Sequence, residues 1–224
     1  MVADRDRGAS FLSVGLAATA IFGVFLFLTY YMQQNLGFSP IVNGVAFLPM
    51  TVTIVVSAML STTRLVPRFG SRSLVAFGML LGAVGMLYLT GLGVHSSYAV
   101  HVLPALMIMG AGFGMIFAPA MNGATLGVDP KDAGVASATV NASQQVGGSI
   151  GVALLSTIAA SAATSALGGA RPTPALIATA TVHGYTTAFF VSAGIFALGA
   201  LVAAVLYRPG VRVAAPDAEP VLAH

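Results

Sequence analysis

A cluster of uncharged hydrogen-bonding side chains lies in an otherwise apolar part of the sequence. Asn141, Gln144 and Gln145 donate and accept hydrogen bonds but do not titrate, so their chemistry is recognition and not proton transfer. Asn141 and Gln145 are four residues apart and share one helical face. Gln144 begins a neighbouring stripe that continues with Gly147 and Gly151, a spacing typical of closely packed membrane helices. One stripe can line a cavity while the other packs, or the amides can bridge helices; both interpretations stay open.

Few residues offer catalytic chemistry. The chain has no Cys, which excludes thiol catalysis and Cys-based metal sites. Its four His are scattered through the sequence, and no carboxylate lies within an apolar stretch. We therefore predict no metal site, no cofactor and no enzymatic activity.

The composition identifies lipid as the solvent of this chain. Of 224 residues, 57% are hydrophobic and only 7% are charged, whereas soluble domains are about a quarter charged. A membrane-spanning helix needs about 20 mostly apolar residues. We predict an all-α membrane protein with a tail at 1–10, a transmembrane bundle at 11–207 and a tail at 208–224. The six predicted spans are about 11–32, 41–63, 73–93, 99–121, 140–162 and 184–207.

The basic residues predict the orientation. Cytoplasmic loops of membrane proteins are enriched in Lys and Arg. In the six-span arrangement only Arg171 falls on the outer side, so both termini are expected to be cytoplasmic, with the chain in the plasma membrane. The basic residues mark separate loops and form no continuous stripe, which disfavours nucleic acid as a partner. Those on the predicted cytoplasmic side are Arg5, Arg7, Arg64, Arg68, Arg72, Lys131, Arg208 and Arg212.

Local signals mark helix starts and bends. Ser39–Pro40 and Asp129–Pro130 each combine a capping side chain with a proline suited to the first helical position. Pro49, Pro104 and Pro119 lie inside predicted spans, where we expect the helix to bend.

Several stretches resemble the C-terminal six-helix half of a major facilitator superfamily carrier, and more narrowly the drug:proton antiporters with fourteen spans. The resemblance implies a half-bundle of three plus three helices in inverted repeat, and proton-driven export of small, often amphipathic molecules. The matching stretches are TYYMQQNLGFSP at 29–40, NGVAFLP at 43–49, RLVPRFGSRSLV at 64–75, GAGFGMIFAP at 110–119 and DPKDAGVASATVNASQQVGGSIGVALL at 129–155.

The resemblance also implies roles for particular residues. In this fold the first and fourth helices of each half line the central cavity, and the second and fifth flank it. Gly110, Gly114, Gly147 and Gly151 are predicted to pack helices together. The stretch at 64–75 resembles a cytoplasmic loop signature through Arg68, Gly70 and Arg72, although it lacks the acidic partner of the stronger signature. The candidate substrate-pathway residues are Tyr30, Gln34, Phe113, Phe117, Asn122, Asn141, Gln144 and Gln145.

Alternatives remain for how such a chain works. A half-carrier is expected to need a partner, either a missing N-terminal half or a second copy in a dimer. A truncated remnant that does not transport is equally compatible with the sequence. An intramembrane serine protease is disfavoured, because residues 98–128 contain no serine to act as the nucleophile. No span contains a carboxylate that could couple transport to protons, and His95, His101 and His183 lie only near span ends.

Overall fold

The computed structural model describes residues 5–125, 128, 132–168 and 173–207, and every regular element within them is helical. Asp129, Pro130, Lys131, Arg171 and the predicted C-terminal tail lie outside the described residues. Two π-helical turns, Ser61–Leu65 and Tyr98–Val102, interrupt the α-helices. The α-helices are α1 (Arg5–Gln34), α2 (Pro40–Ala46), α3 (Leu48–Leu60), α4 (Val66–Leu89), α5 (Leu103–Thr125), α6 (Ala133–Leu167) and α7 (Pro174–Leu206).

Among the described residues, five continuous helical stretches are long and apolar enough to cross a membrane. One of them, Pro40–Leu89, has 50 residues, more than twice the length that a single crossing needs. Gly70 lies within it with φ 75° and ψ 159°, a backbone conformation almost restricted to glycine. The stretch therefore consists of two legs that meet at Gly70.

Contacts with α5 give the directions of these two legs. On one side of α5, Gly110 lies against Met50 and Gly114 against Ile54, so α3 runs parallel to α5. On the other side, Gly78 lies against Gly112 and Gly85 against Ala105, so α4 runs antiparallel to α5. The chain consequently reverses its direction at Gly70 and places α3 and α4 on two sides of α5.

Prolines determine where the other interruptions fall. Pro104 lacks an N–H group, and its ring clashes with the carbonyl four residues earlier in a regular helix. Directly before it, the N–H of Leu103 donates to the carbonyl of Tyr98, the wider bonding of a π-helical turn. The other π-helical turn likewise precedes Pro67. Pro49 is the second residue of α3, so Pro49 and Pro104 mark helix boundaries where the sequence predicts bends.

The other local signals in the sequence concern the starts of α2 and α6 and the proline inside α5. The predicted cap at Ser39 is confirmed, because its hydroxyl accepts a hydrogen bond from the N–H of Val42 at 3.3 Å and Pro40 opens α2. The described part of α6 begins at Ala133, directly after Asp132. Pro119 lies inside α5, and the bend predicted there stays a prediction.

Helix α1 lies in the middle of the bundle and packs against α5, α6 and α7. It contributes fully buried small side chains such as Ala17 and Ala20, which let its neighbours approach closely. Its contact with α6 is parallel, because Gly147 lies against Gly15 and Gly151 against Thr19. The outer surface of the bundle is also apolar. Four of its side chains are 60% or more exposed: Val52, Met59, Phe190 and Leu201. A bundle that is apolar on both sides of its helices is suited to lipid.

Candidate substrate groove

An open groove of about 390 Å³ lies on one side of four neighbouring helices. Helix α3 packs on α5, α5 on α1 and α1 on α6, so the four helices form a row, and each contributes to the lining. The lining is aromatic and aliphatic except for one amide, and it contains no charged side chain. The lining residues are Ala18, Ile21, Phe22, Phe25, Met50, Ile54, Phe113, Phe117 and Gln144.

Helix α5 contributes two phenylalanines to the lining. The side chain of Phe113 is 2% exposed, and its ring stacks on that of Phe196 of α7 with centroids 5.9 Å apart. Phe117, one turn further along α5, is half-buried and lies beside it in the groove. Phe113 is thereby held in place from behind while one part of it borders the groove. The partly accessible ring of Phe117 offers apolar surface to a ligand.

Two of the glycines of α5, Gly110 and Gly114, position the neighbouring wall. A Cβ at Gly110 would stand 2.7 Å from the carbonyl oxygen of Met50, and one at Gly114 would stand 2.6 Å from that of Ile54. Both distances are too short for a side chain, so only glycine lets α3 come this close. In the same contact the hydroxyl of Ser57 donates to the carbonyl of Ala111 at 2.6 Å. Met50 and Ile54 therefore reach the groove because glycines face them.

The opposite wall depends on α6 in the same way. Gly147 lies directly against the main chain of Gly15, and Gly151 against that of Thr19. These contacts fix the rotation of α6 about its axis. Gln144 lies one turn before Gly147 and is half-buried in the groove lining, whereas Gln145 is exposed and outside the lining. Of the three amides clustered in the sequence, Gln144 alone is in the lining.

The groove brings together Phe113, Phe117 and Gln144 from the predicted pathway residues, and the others lie elsewhere. Gln34, at the end of α1, is exposed and accepts a hydrogen bond from the hydroxyl of Tyr185 at 3.4 Å. The remaining predicted residues are on exposed faces outside the lining: Tyr30, Asn122, Asn141 and Gln145.

Sequence reasoning missed the contribution of α1 and α3 to the lining. Phe22 and Phe25 are three residues apart on α1 and both 39% exposed on its groove side. Their spacing indicates a shared helical face, but in an entirely apolar span it does not distinguish a groove from lipid. Asn43 of α2 lies outside the lining; it is 6% exposed, and its Nδ2 donates to the hydroxyl of Thr29 at 3.4 Å.

The loop signature surrounds the reversal at Gly70. Arg68 is exposed, with its guanidinium 5.7 Å from the centre of the Phe69 ring. Arg72 follows the reversal and is half-buried. The signature residues thus form the turn between the two legs that meet at Gly70, and the positive φ of Gly70 is what the turn requires.

Comparison with known proteins decides the family. The Major Facilitator Superfamily profile matches residues 5–152. The chain belongs to the major facilitator superfamily. The resemblance and the all-helical membrane fold predicted from the sequence are therefore confirmed, and the chain is a multi-pass membrane protein.

Three relatives within this superfamily are named for resistance or export. The chain is 46% identical over 208 residues to puromycin resistance protein pur8 of Streptomyces alboniger, covering 92% of the chain and 41% of the relative. It is 33% identical over 150 residues to cephamycin export protein CmcT of Amycolatopsis lactamdurans, covering 67% of the chain and 31% of the relative. It is 33% identical over 158 residues to a multidrug resistance protein B homolog of Mycobacterium tuberculosis strain H37Rv, covering 70% of the chain and 28% of the relative.

The chain spans less than half the length of each of these relatives. The major facilitator superfamily is a family of transporters, so the prediction that the chain is not an enzyme is confirmed.

Proposed function

We propose that this chain is the C-terminal half of an exporter of small amphipathic molecules, and that the groove is one wall of its substrate pathway. The observation that carries the proposal is the lining itself: four helices contribute to it, and it contains four phenylalanines and one amide. An apolar pocket with a single well-placed polar group is the usual construction of a small-molecule site.

The lining favours a particular class of substrate. Phe22, Phe25 and Phe117 provide accessible aromatic surface for a flat apolar body, with the buried ring of Phe113 at its border. The amide of Gln144 can donate to or accept from one polar group. The lining carries no charge, so a strongly charged substrate would lose its hydration without compensation. Relatives named for puromycin resistance and cephamycin export are in line with small amphipathic substrates.

A second wall is needed to complete the pathway. The groove is open on one side, and Phe22 and Phe25 leave 39% of their surfaces uncovered there. Val55 of α3 and Ile150 of α6, on two of the helices that line the groove, are also exposed apolar residues, at 61% and 54%. We infer that an N-terminal half covers this face, since the relatives are more than twice as long as the matched region. A second copy of this chain is the alternative occupant.

The same proposal includes the membrane and the energy source. The basic residues near the Gly70 reversal and at the two ends of the sequence support cytoplasmic termini in the plasma membrane. Transport is driven by protons, and the titrating group is supplied by the partner half, because the groove lining holds no ionisable side chain.

A hybrid carrier tests the proposal. We define it as this chain co-expressed with the part of the puromycin resistance protein that the chain does not match. In an efflux-deficient bacterium, the hybrid carrier is expected to lower puromycin accumulation, and the chain alone is not. Lowered accumulation with the chain alone would favour the second-copy alternative. No change with either, despite membrane insertion, would indicate a remnant that does not transport.

Two variants with matched controls connect the transport to the groove. Gln144→Leu and Phe117→Ala remove lining groups and are expected to reduce efflux by the hybrid carrier severalfold. Gln145→Leu changes an amide outside the lining, and Phe190→Ala removes an outer ring that is 65% exposed. Both controls are expected to retain efflux. Equal losses in the lining and control variants would contradict the proposed pathway.

A further inference from the structure

A second cleft, of about 440 Å³, lies beside the Gly70 reversal. Its size is within the range of about 300–1,000 Å³ that is usual for ligand sites. Apart from one hydroxyl, the lining is apolar, and it comes from the end of the α3 leg, the start of α4 and the middle of α5. The lining residues are Leu65, Phe69, Ser73, Leu74, Phe77 and Met115.

This cleft is on the other side of α5 from the substrate groove. Met115 lines the cleft, whereas Phe113 and Phe117, two residues before and after it, line the groove. Two residues correspond to about 200° of rotation around a helix, so the two linings face nearly opposite directions. The cleft therefore opens on the side of the bundle away from the groove and from the second wall that covers it. That side is therefore the one available to lipid.

Three arginines accompany the cleft. Arg64 and Arg68 are four residues apart and form a row on the helix surface directly beside the row of Leu65 and Phe69. After the reversal, Arg72 directly precedes the lining residue Ser73. Each arginine is thus the chain neighbour of a lining residue, at the end of the cleft nearest the turn.

The charge of these arginines is not neutralised within the described part of the chain. Arg68 lies over the ring of Phe69, and neither Arg64, Arg68 nor Arg72 forms an ion pair with a described residue. The cleft extends from this end toward Phe77 and Leu74, about one to two helical turns beyond Gly70 along α4. A positive rim therefore adjoins an apolar slot that runs into the hydrocarbon region.

We propose that this cleft binds one anionic phospholipid of the inner leaflet. The phosphate and its negatively charged headgroup pair with the guanidinium groups of Arg64, Arg68 and Arg72, and Ser73 offers a hydroxyl to the phosphate. One acyl chain lies in the slot against Phe69, Phe77 and Met115. The site rests on the proposed orientation of the chain, in which the Gly70 reversal lies at the cytoplasmic surface, but lipid binding does not depend on transport.

Native mass spectrometry of the purified full chain in detergent tests the site. The probes are phosphatidylglycerol and phosphatidylcholine with identical acyl chains, added separately. A single retained phosphatidylglycerol is expected, with at least tenfold weaker retention of phosphatidylcholine. The double variant Arg68→Gln with Arg72→Gln should weaken phosphatidylglycerol binding about 25-fold. Each basic residue at an anionic surface strengthens binding about fivefold, and this variant removes two of them. Arg208→Gln with Arg212→Gln makes the same change in net charge and is expected to leave binding within about twofold.

Two further measurements separate a lipid site from a simple anion site. Ser73→Trp fills the slot without changing the charge, so it should lower lipid retention as much as the double arginine variant does. If Ser73→Trp fails to fold, Phe77→Ser replaces it. Phe77→Ser makes the slot polar and is expected to lower lipid retention equally. Inorganic phosphate at millimolar concentration should not displace the lipid. Equal retention of both lipids, equal loss in the tail control, or displacement by phosphate would each overturn the proposal. Because lipid retention is measured without transport, its outcome is independent of the hybrid-carrier experiment.

Discussion

Gly151 of α6 lies directly against the main-chain carbonyl of Thr19 on α1, in space that any side chain at position 151 would occupy. Four residues earlier, Gly147 meets Gly15 in the same way. These two contacts determine how α6 is rotated about its axis. They are the reason that Gln144 faces the substrate groove and its neighbour Gln145 does not.

Replacing this glycine tests the contact. Gly151→Ala inserts a methyl group against fixed backbone and is expected to destabilise the protein by about 1–3 kcal/mol, the usual cost of overpacking. Gly194→Ala is the matched control, because position 194 lies in a helix with open space around it. The measurement is the midpoint of thermal unfolding in detergent. Equal midpoints for the two variants would mean that the α1–α6 contact is not close.

The reversal at Gly70 gives a second prediction. Its φ of 75° with ψ of 159° is strained for any residue with a Cβ, so Gly70→Ala is expected to cost about 1–3 kcal/mol of folding free energy. Gly44→Ala provides the comparison, since Gly44 is helical with nothing close to it and alanine is the better helix former. Unfolding by denaturant in micelles measures both. A Gly70→Ala variant as stable as the control would contradict the reversal.

Much of the helical arrangement follows from local sequence. The cap at Ser39 and the proline after it predict the start of α2, and the structure has that start. Pro104 is a different case, because the sequence indicates an interruption without indicating its form. A π-helical turn in front of the proline, with the helix continuing behind it, depends on packing between helices and not on local preference.

An interhelical hydrogen bond gives a third prediction. The hydroxyl of Ser57 donates to the carbonyl of Ala111 across the α3–α5 contact at 2.6 Å, and Ser57 is 5% exposed. Ser57→Ala is expected to destabilise the protein by about 0.6 kcal/mol, the average for such bonds in membranes. The hydroxyl of Ser149 bonds within its own helix on an exposed face, so Ser149→Ala should change stability less. A reversed order of the two variants in thermal unfolding would contradict this role of Ser57.

The groove could be predicted only in part. Gln144, Phe113 and Phe117 are named by the sequence, but so are Asn141 and Gln145, which have the same chemistry and lie outside the lining. Adjacent helical residues point about 100° apart, and which of two amides faces a cavity depends on the rotation of the helix. Here that rotation is set by contacts with α1, more than a hundred residues away in sequence. The spacing of Gly147 and Gly151 predicts a close contact without identifying its partner.

The lipid cleft leads to a prediction about stability in membranes. Phosphatidylglycerol is expected to raise the unfolding midpoint of the full chain, because a ligand that binds only the folded state stabilises it. The arginine pair variant Arg68→Gln with Arg72→Gln should lose most of this increase, while Arg208→Gln with Arg212→Gln should keep it. The comparison is made in micelles with and without the lipid. An increase that is the same in both variants would assign the effect to general surface charge.

Cysteine labelling of the hybrid carrier tests the substrate groove most directly. This chain has no native Cys, so within it a reagent can react only at the thiol that is introduced, and the hybrid carrier without an introduced thiol gives the background. Groove thiols are placed at Ile54→Cys and Gln144→Cys, and outer thiols at Phe190→Cys and Leu201→Cys. A membrane-impermeant maleimide is expected to label the groove positions, puromycin is expected to slow that labelling, and the outer positions should stay unlabelled because thiolates do not form in lipid. Equal labelling of the outer positions, or groove positions that puromycin does not protect, would contradict the assignment of the groove as the substrate pathway.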